Sequence, residues 1–293
     1  LTLQTFLFVC LSGVVLGALY ALMATGLAVV WTTLGIFNFA HGTFIAAGAY
    51  LAWQLSQGGH SAGFLPNAAI SIASLFAVGV LFHLLLVKPF ERKPNAVLLS
   101  VMTTLAGASI VEGIINLVWG PRSKQLQSIV GDIRFAGIVM SYNDVVMIAV
   151  AVAILAAVGA FLRYSTIGRS MRAVAQNREA AQLLGLNVPL LYALAFGLSA
   201  ALAGMAGLFV GSMRFMTPSM GSEPLMKALI VVIFGGIARF TSPIYAAFVV
   251  GMLEAFSTYY VGLYWTPAVL FALMIAVLMI KPEGLFGKYE RSV

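Results

Sequence analysis

The first eighty-seven residues contain no Asp, Glu, Lys or Arg, and Lys88 is the first charged side chain of the chain. Few water-soluble folds could present so long a stretch to solvent. Of the 293 residues 61% are apolar and only 9% charged, with a mean hydropathy of +1.02, where soluble domains carry roughly 25% charge. Lipid is therefore the solvent to which most of this sequence is matched. In lipid every backbone polar group has to be satisfied internally, which leaves helices or a closed barrel. The apolar runs do not alternate with period two, so a barrel is excluded. An all-α, polytopic membrane protein is the expected fold class.

Apolar runs between polar or Pro/Gly punctuation predict spans near 6–31, 38–56, 67–88, 97–118, 142–162, 190–213, 225–238, 243–263 and 266–281. Eight or nine crossings result, depending on whether the short 225–238 run crosses completely. The whole of 1–293 is expected to form one transmembrane domain, because no connection is long enough to enclose a soluble core. The first run lacks a basic leader and continues as a span, so no separate cleavable signal is expected.

Basic residues orient the spans. If 164–189 is cytoplasmic and the spans alternate, Lys88, Arg92, Lys93, Arg163, Arg169, Arg172, Arg178, Arg239, Lys281, Lys288 and Arg291 lie inside, eleven of the sixteen Lys and Arg. Arg122, Lys124, Arg134, Arg214 and Lys227 fall outside, on longer connections. This asymmetry places the C-terminus in the cytoplasm and explains the net charge of +7 without nucleic acid as a partner. The 119–141 connection, with Gly120, Pro121, Gly131, Asp132 and Gly137, is the longest external loop, either a partner contact or an ordinary surface. Cys10, the single cysteine, excludes an intramolecular disulfide and reads as a helix-packing residue. His60 and His83 lack companions at metal spacing, so no metal site is expected, and no catalytic constellation appears.

One segment stands apart. "GRSMRAVAQNREAAQLLGLNV", Gly168 to Val188, holds three arginines and a glutamate. Val174, Ala175, Ala180, Ala181, Leu183 and Leu184 recur at helical spacing among Arg172, Gln176, Arg178 and Gln182, which predicts one short amphipathic helix. Gly185 suits its left-handed end, and Pro189 follows. Such a helix either lies at the lipid headgroups or docks on a partner.

The same stretch contains "EAAQLLG", which resembles the Glu-Ala-Ala-x-x-x-Gly loop of bacterial ABC importer permeases, and the full twenty-one residues resemble the corresponding loop of the branched-chain amino acid permeases. "GLAVVWTTLGIFNFAHGTFIAAGAY", from Gly26, contains that family's Asn-Phe-Ala-His-Gly motif, and "KALIVVIFGGIARFTSPIYAAFVVGMLE", from Lys227, resembles its late Gly-Gly segment. Gly235, Gly236, Ile237, Ala238 and Arg239 stand where relatives often read Gly-Gly-x-Gly-Ser. "KPEGLFG", from Lys281, resembles the family's C-terminal motif, with Lys281 where Arg is usual.

The resemblance implies a multi-pass permease subunit of the bacterial inner membrane, moving branched-chain or other hydrophobic amino acids by alternating access. It implies as partners a second homologous permease or a second copy, two ATP-binding subunits and a periplasmic substrate-binding protein. ATP and Mg would reside on the ATPases; no cofactor is expected here, since "GLFGK" lacks the spacing and Ser/Thr of a phosphate loop, and the chain is not expected to be an enzyme. Arg172, Gln176, Asn177, Arg178, Glu179, Ala180, Leu183, Leu184 and Gly185 would couple it to the ATPases. Urea, short amides and aromatic acids remain open as substrates, as do a proton-coupled carrier and a non-transporting scaffold as classes.

Asn38, His41, Gly42, Gly235, Gly236 and Glu254 are the expected pathway or gating residues. Asn38 and His41 are polar groups at the start of a span, which serve either a cavity or merely a helix cap and a neighbouring carbonyl. At a shift of 201 positions Gly35-Ile36 meets Gly236-Ile237, Phe39 meets Phe240 and Ala46 meets Ala247, an internal echo of paired Gly-interrupted segments. Glu112 and Glu254 are carboxylates near spans, as relays or structural partners. Gly207 with Gly211, and Gly13 with Gly17, suit close helix packing.

Overall fold

A computed structural model describes residues 2–57, 64–91, 93–126, 131–135, 138–236 and 240–287. His60, Arg92, Gly137, the 237–239 end of the Gly-Gly segment, Lys288 and Arg291 lie outside the described residues. The helices are α1 (Leu3–Leu34), α2 (His41–Gln57), α3 (Phe64–Phe82), α4 (Ala96–Trp119), α5 (Tyr142–Tyr164), α6 (Thr166–Gln176), α7 (Arg178–Leu183), α8 (Val188–Met213), α9 (Ser222–Gly235), α10 (Ser242–Tyr260) and α11 (Thr266–Ile280). The helix α3 runs on through a π turn, His83–Val87, and a 3-10 turn, Lys88–Phe90.

Among the described residues, five helical stretches are long and apolar enough to cross a bilayer: Leu3–Leu34, Pro66–Phe90, Ala96–Trp119, Tyr142–Tyr164 and Val188–Met213. The apolar α11 has 15 residues, about 22 Å at 1.5 Å per residue. Among the described residues one pair of strands stands beside the helices. Strands β1 (Asp132–Phe135) and β2 (Ile138–Ser141) pair antiparallel, so the 119–141 connection is partly a hairpin rather than plain loop. The β-branched Ile133, Ile138 and Val139 suit strands, and a two-stranded ribbon satisfies backbone groups that a loop leaves to water.

The chain divides into two compact units. One comprises 29–127 and 157–225. At its centre α8 is buried along nearly all its length, against α2 and α3. Small residues permit this. A Cβ on Gly48 would fall on the Gly204 backbone, one on Gly207 on the Ile45 carbonyl, and one on Gly79 on the Phe196 carbonyl. Dispersion and backbone proximity, rather than exclusion from water, hold helices together in lipid. Phe44, Phe82 and Phe196 fill the adjoining space, with Phe82 edge-on to Phe44 at 5.2 Å and stacked on Phe196 at 6.2 Å.

The other unit comprises 1–28, 128–156 and 226–293. Gly13 and Gly17 of α1 face Met252 and Phe248 of α10, while Gly251 of α10 faces the Gly17 backbone. The expected packing role of that glycine pair is thus borne out.

Here two sequence motifs prove to be one device. Gly236 ends α9 with φ +88°, and Gly284 in the C-terminal motif has φ +81°. A Cβ on either would strike the other's turn: Gly236 faces the Glu283 carbonyl, and Gly284 faces the Gly236 backbone. The Leu285 N–H donates to the Phe234 carbonyl (2.7 Å) and the Phe286 N–H to the Gly235 carbonyl (3.3 Å). Lys281 Nζ closes the turn on the Leu285 carbonyl at 2.8 Å. The tail thereby satisfies carbonyls that the end of α9 leaves open. Gly284→Ala is expected to lower the thermal unfolding midpoint of the purified protein, at a cost of about 1–3 kcal/mol from positive φ and lost hydrogen bonds; an unchanged midpoint would deny the clamp.

The internal echo has local structural content. Helix α1 gives way at Gly35, φ +74°, and α2 starts at His41; α9 gives way at Gly236 and α10 starts at Ser242. Both pairs of landmarks are separated by 201 positions.

Candidate functional site

The segment after α5 is not one helix but two. Ser165 caps α6, its Oγ accepting from the Gly168 N–H at 2.9 Å. Gly168, Met171 and Val174 face inward, and a Cβ at Gly168 would meet the carbonyl of Phe161. Arg172 Nη2 donates to the Arg163 carbonyl at 3.1 Å, a cation on the open C-terminal end of α5. At Asn177 the chain turns extended, φ −155° and ψ 107°. Its Oδ1 accepts from the Ala180 N–H at 2.9 Å, so this residue ends α6 and caps α7. The single helix expected over this stretch is corrected: a side chain that competes for backbone N–H groups outweighed continued helical periodicity.

Gly185 does end α7, with φ +80°. The Leu186 N–H donates to the Ala181 carbonyl and the Gly185 N–H to that of Gln182, the two bonds of a Schellman turn. Asn187 then caps α8, accepting from the Leu190 N–H at 3.2 Å. Between these caps, α7 presents Arg178, Glu179, Ala180 and Gln182 outward, with Gln176 and Asn177 exposed beside them, and only Ala181 faces in. Leu183 and Leu184 are 89% and 80% exposed, so of the two destinations open to them, a partner's groove or this chain's helices, the second is not taken here.

Beside α7 lies a cleft of about 720 Å³, lined by Arg178, Glu179, Gln182, Leu186, Asn187, Val188 and Pro189, and closed on the other side by Glu91 and Lys93. The Arg178 guanidinium sits 5.4 Å from the Tyr192 ring centre. Glu91 is fixed by His83, whose Nε2 is 2.6 Å from Oε1. In the sequence Lys88, Arg92 and Lys93 bear only on orientation, and nothing local in "KPFERK" tells that Glu91 and Lys93 border α7.

In the unit built on α8, Asn38 and His41 are wholly buried. The Asn38 Oδ1 accepts from the Ala40 N–H at 3.1 Å, and its carbonyl from the His41 N–H. Its Nδ2 has no hydrogen-bond partner among the described residues, a buried donor of the kind that costs about 1–3 kcal/mol. His41 Nδ1 is 3.1 Å from Ser199 Oγ on α8, a side-chain partner rather than a backbone carbonyl. Gly42 abuts the Gly221 carbonyl. The Phe39 N–H reaches Thr104 Oγ1 of α4 at 3.4 Å.

In the other unit, Glu254 of α10 is 5% exposed. Its Oε2 accepts from the Tyr20 hydroxyl of α1 at 2.5 Å and its Oε1 from Lys227 Nζ of α9 at 2.7 Å. Lys227 Nζ also lies 5.6 Å from the Tyr20 ring centre. Lys227 is thus removed from the tally of external loop charges, since it sits within α9 and is neutralised by an acid 27 residues later. Tyr20, read only as part of an apolar run, supplies the third member. Gly235 packs on Ala246 of α10, while Gly236 serves the C-terminal clamp. Glu112 of α4 is half-buried. Among the described residues, no three His, Cys, Asp or Glu side chains converge as a metal cage.

Comparison with known proteins places this geometry in context. Residues 9–278 match the family described as "Branched-chain amino acid transport system / permease component". The chain is 31% identical to the high-affinity branched-chain amino acid transport system permease protein LivH of Escherichia coli (strain K12), covering 95% of this chain and 94% of that one. It is 27% identical to the permease protein BraD of the same kind of system in Pseudomonas aeruginosa, over 95% of each chain. It is 29% identical to the probable branched-chain amino acid transport permease protein LivH of Methanocaldococcus jannaschii, over 92% of this chain and 89% of that one. No solved structure matches the chain.

Proposed function

From the premise that this chain belongs to the branched-chain amino acid transport system permease family, we propose that it is a permease subunit of a binding-protein-dependent ABC importer for branched-chain or other hydrophobic amino acids. Residues 1–293 form one transmembrane domain that crosses the inner membrane eight or nine times, with the C-terminus and the 164–189 segment in the cytoplasm. A second permease, two ATPases holding ATP and magnesium, and a periplasmic binding protein complete the assembly. The match over residues 9–278 carries this reading.

The shape of α6 and α7 supports a mechanical role. Two rigid pieces, each capped by a side chain, are anchored at the α5 end by Arg172 and at the α8 start by Asn187. A short rod fixed at both ends passes on displacement as a body, because packed helices slide or rotate more readily than they deform. The exposed leucines and the charged cleft form its contact with the ATPase. Asn38, His41, Gly42, Gly235, Gly236 and Glu254 belong to the path or its gates.

The test is uptake of radiolabelled leucine into liposomes holding the complete complex, with ATP inside and the binding protein outside. Uptake that needs ATP and the binding protein is expected; transport driven by a pH gradient alone sinks the reading. Glu179→Ala and Gly185→Val are each expected to cut ATP-driven uptake roughly tenfold, the effect of about 1.4 kcal/mol at the docking surface, with membrane insertion intact. Undiminished uptake in both refutes the role given to α7.

A further inference from the structure

The Tyr20–Glu254–Lys227 cluster does more than neutralise a misplaced charge. Tyr20 lies near the middle of the 32-residue α1, about 20–25 Å from either end at 1.5 Å per residue. The side chains of Lys227 and Glu254 are 15% and 6% exposed. A lysine and a glutamate at such depth are expensive, and where they persist they mark a pathway or a partner. A brace between helices needs no ions, because apolar side chains of similar volume usually do as well or better. The cargo expected of this chain is itself a cation and an anion on adjacent carbons.

We propose that the Lys227–Glu254 pair is the station that holds the zwitterionic head group of an α-amino acid in transit. Lys227 takes the α-carboxylate and Glu254 takes the α-ammonium, while Tyr20 keeps its bond to the second oxygen of Glu254. In the structure the two side chains satisfy each other at 2.7 Å. Arrival of the head group exchanges one ion pair for two, so the site stays neutral throughout and neither charge is left bare. Departure restores the original pair. The Lys227 ammonium, the more exposed of the two, is the natural first contact. Uncharged amides offer neither charge and gain nothing from this exchange, so the site selects amino acids over them. This inference rests on the importer reading above.

The experiment uses the complete reconstituted complex, with leucine as the probe. Four variants are compared: Lys227→Met, Glu254→Gln, the apolar double Lys227→Met/Glu254→Met, and the swap Lys227→Glu/Glu254→Lys. All four are expected to lose at least about tenfold in ATP-driven leucine uptake, while the two doubles, which leave no unpaired charge, still copurify with the ATPases. Uptake restored to within about twofold by the apolar double, as a brace allows, overturns the proposal. So does a swap that transports like the parent. If neither double assembles, the pair serves folding and the proposal also fails. The importer reading fails separately, through absence of ATP-dependent leucine uptake in the unaltered complex.

Discussion

Valine in place of Gly207 is expected to prevent accumulation of folded protein. Any Cβ there falls on the carbonyl oxygen of Ile45 in α2, and the neighbouring contacts are backbone rather than flexible side-chain ends. Relief requires α2 and α8 to move apart along a seam that also includes Gly48 on Gly204. The cost is about 3 kcal/mol or more, the upper range of overpacking. The centre of that unit would be opened, because α8 is its most enclosed helix. The measurement is the monodisperse fraction on size exclusion after mild detergent extraction. Gly113→Val is the control, since nothing lies within 4 Å of a Cβ at that position. It is expected to tolerate the change at little cost beyond helix propensity. Equal recovery of the two variants contradicts the seam.

Aspartate at both Leu183 and Leu184 is expected to detach the ATPases while leaving the membrane part intact. The two leucines are exposed to 89% and 80%, so their replacement removes no internal contact of consequence. Against the proposed ATPase partner they would bury apolar surface worth about 1.5–3 kcal/mol each. Losing the larger part of that lowers affinity on the order of a hundredfold. Charged groups forced into an apolar groove would add a desolvation penalty. Pull-down of the ATPases by the purified permease measures this directly, and normal thermal unfolding of the permease shows that the loss is local. Full retention of the ATPases would move their docking surface away from α7. The cleft residues Glu91 and Lys93 would then be the next place to look, as they border the same cavity from the connection that precedes α4.

Much of this architecture was legible in the residues. The apolar run expected over 97–118 is the helix Ala96–Trp119, and that over 190–213 is Val188–Met213. Such limits are local: Asn187 caps, Gly35 and Gly236 terminate, and apolar residues fill what lies between. The Asn177 break is not legible in the sequence, because helical spacing on its two sides agrees well enough to suggest one helix. Nor are the strands 132–135 and 138–141, because short segments carry a weak periodic signal.

The 168–188 segment stands out by its charge and by its resemblance to a family loop, and Gln176, Asn177, Arg178, Glu179 and Gln182 do lie on the exterior, with Arg172 half-buried. Glu254 was found as a carboxylate out of place. Its partners were not, since Tyr20 is 234 positions away in the chain and Lys227 passes for a residue of a connection. A long-range pair leaves no mark on either local pattern.

The sequence by itself determined that this chain is matched to lipid, where most of its long helices run, and which segment carries the densest charge. Tertiary structure alone decided which helix occupies a centre. An 18-residue stretch of α5 reaches a mean hydropathy of 2.9 and one of α8 only 2.0, yet 28% of the first stretch and 89% of the second is buried. Lipid tails are as apolar as leucine, so hydrophobicity separates membrane from water but not protein from lipid. That second choice is made by small residues that let backbones touch.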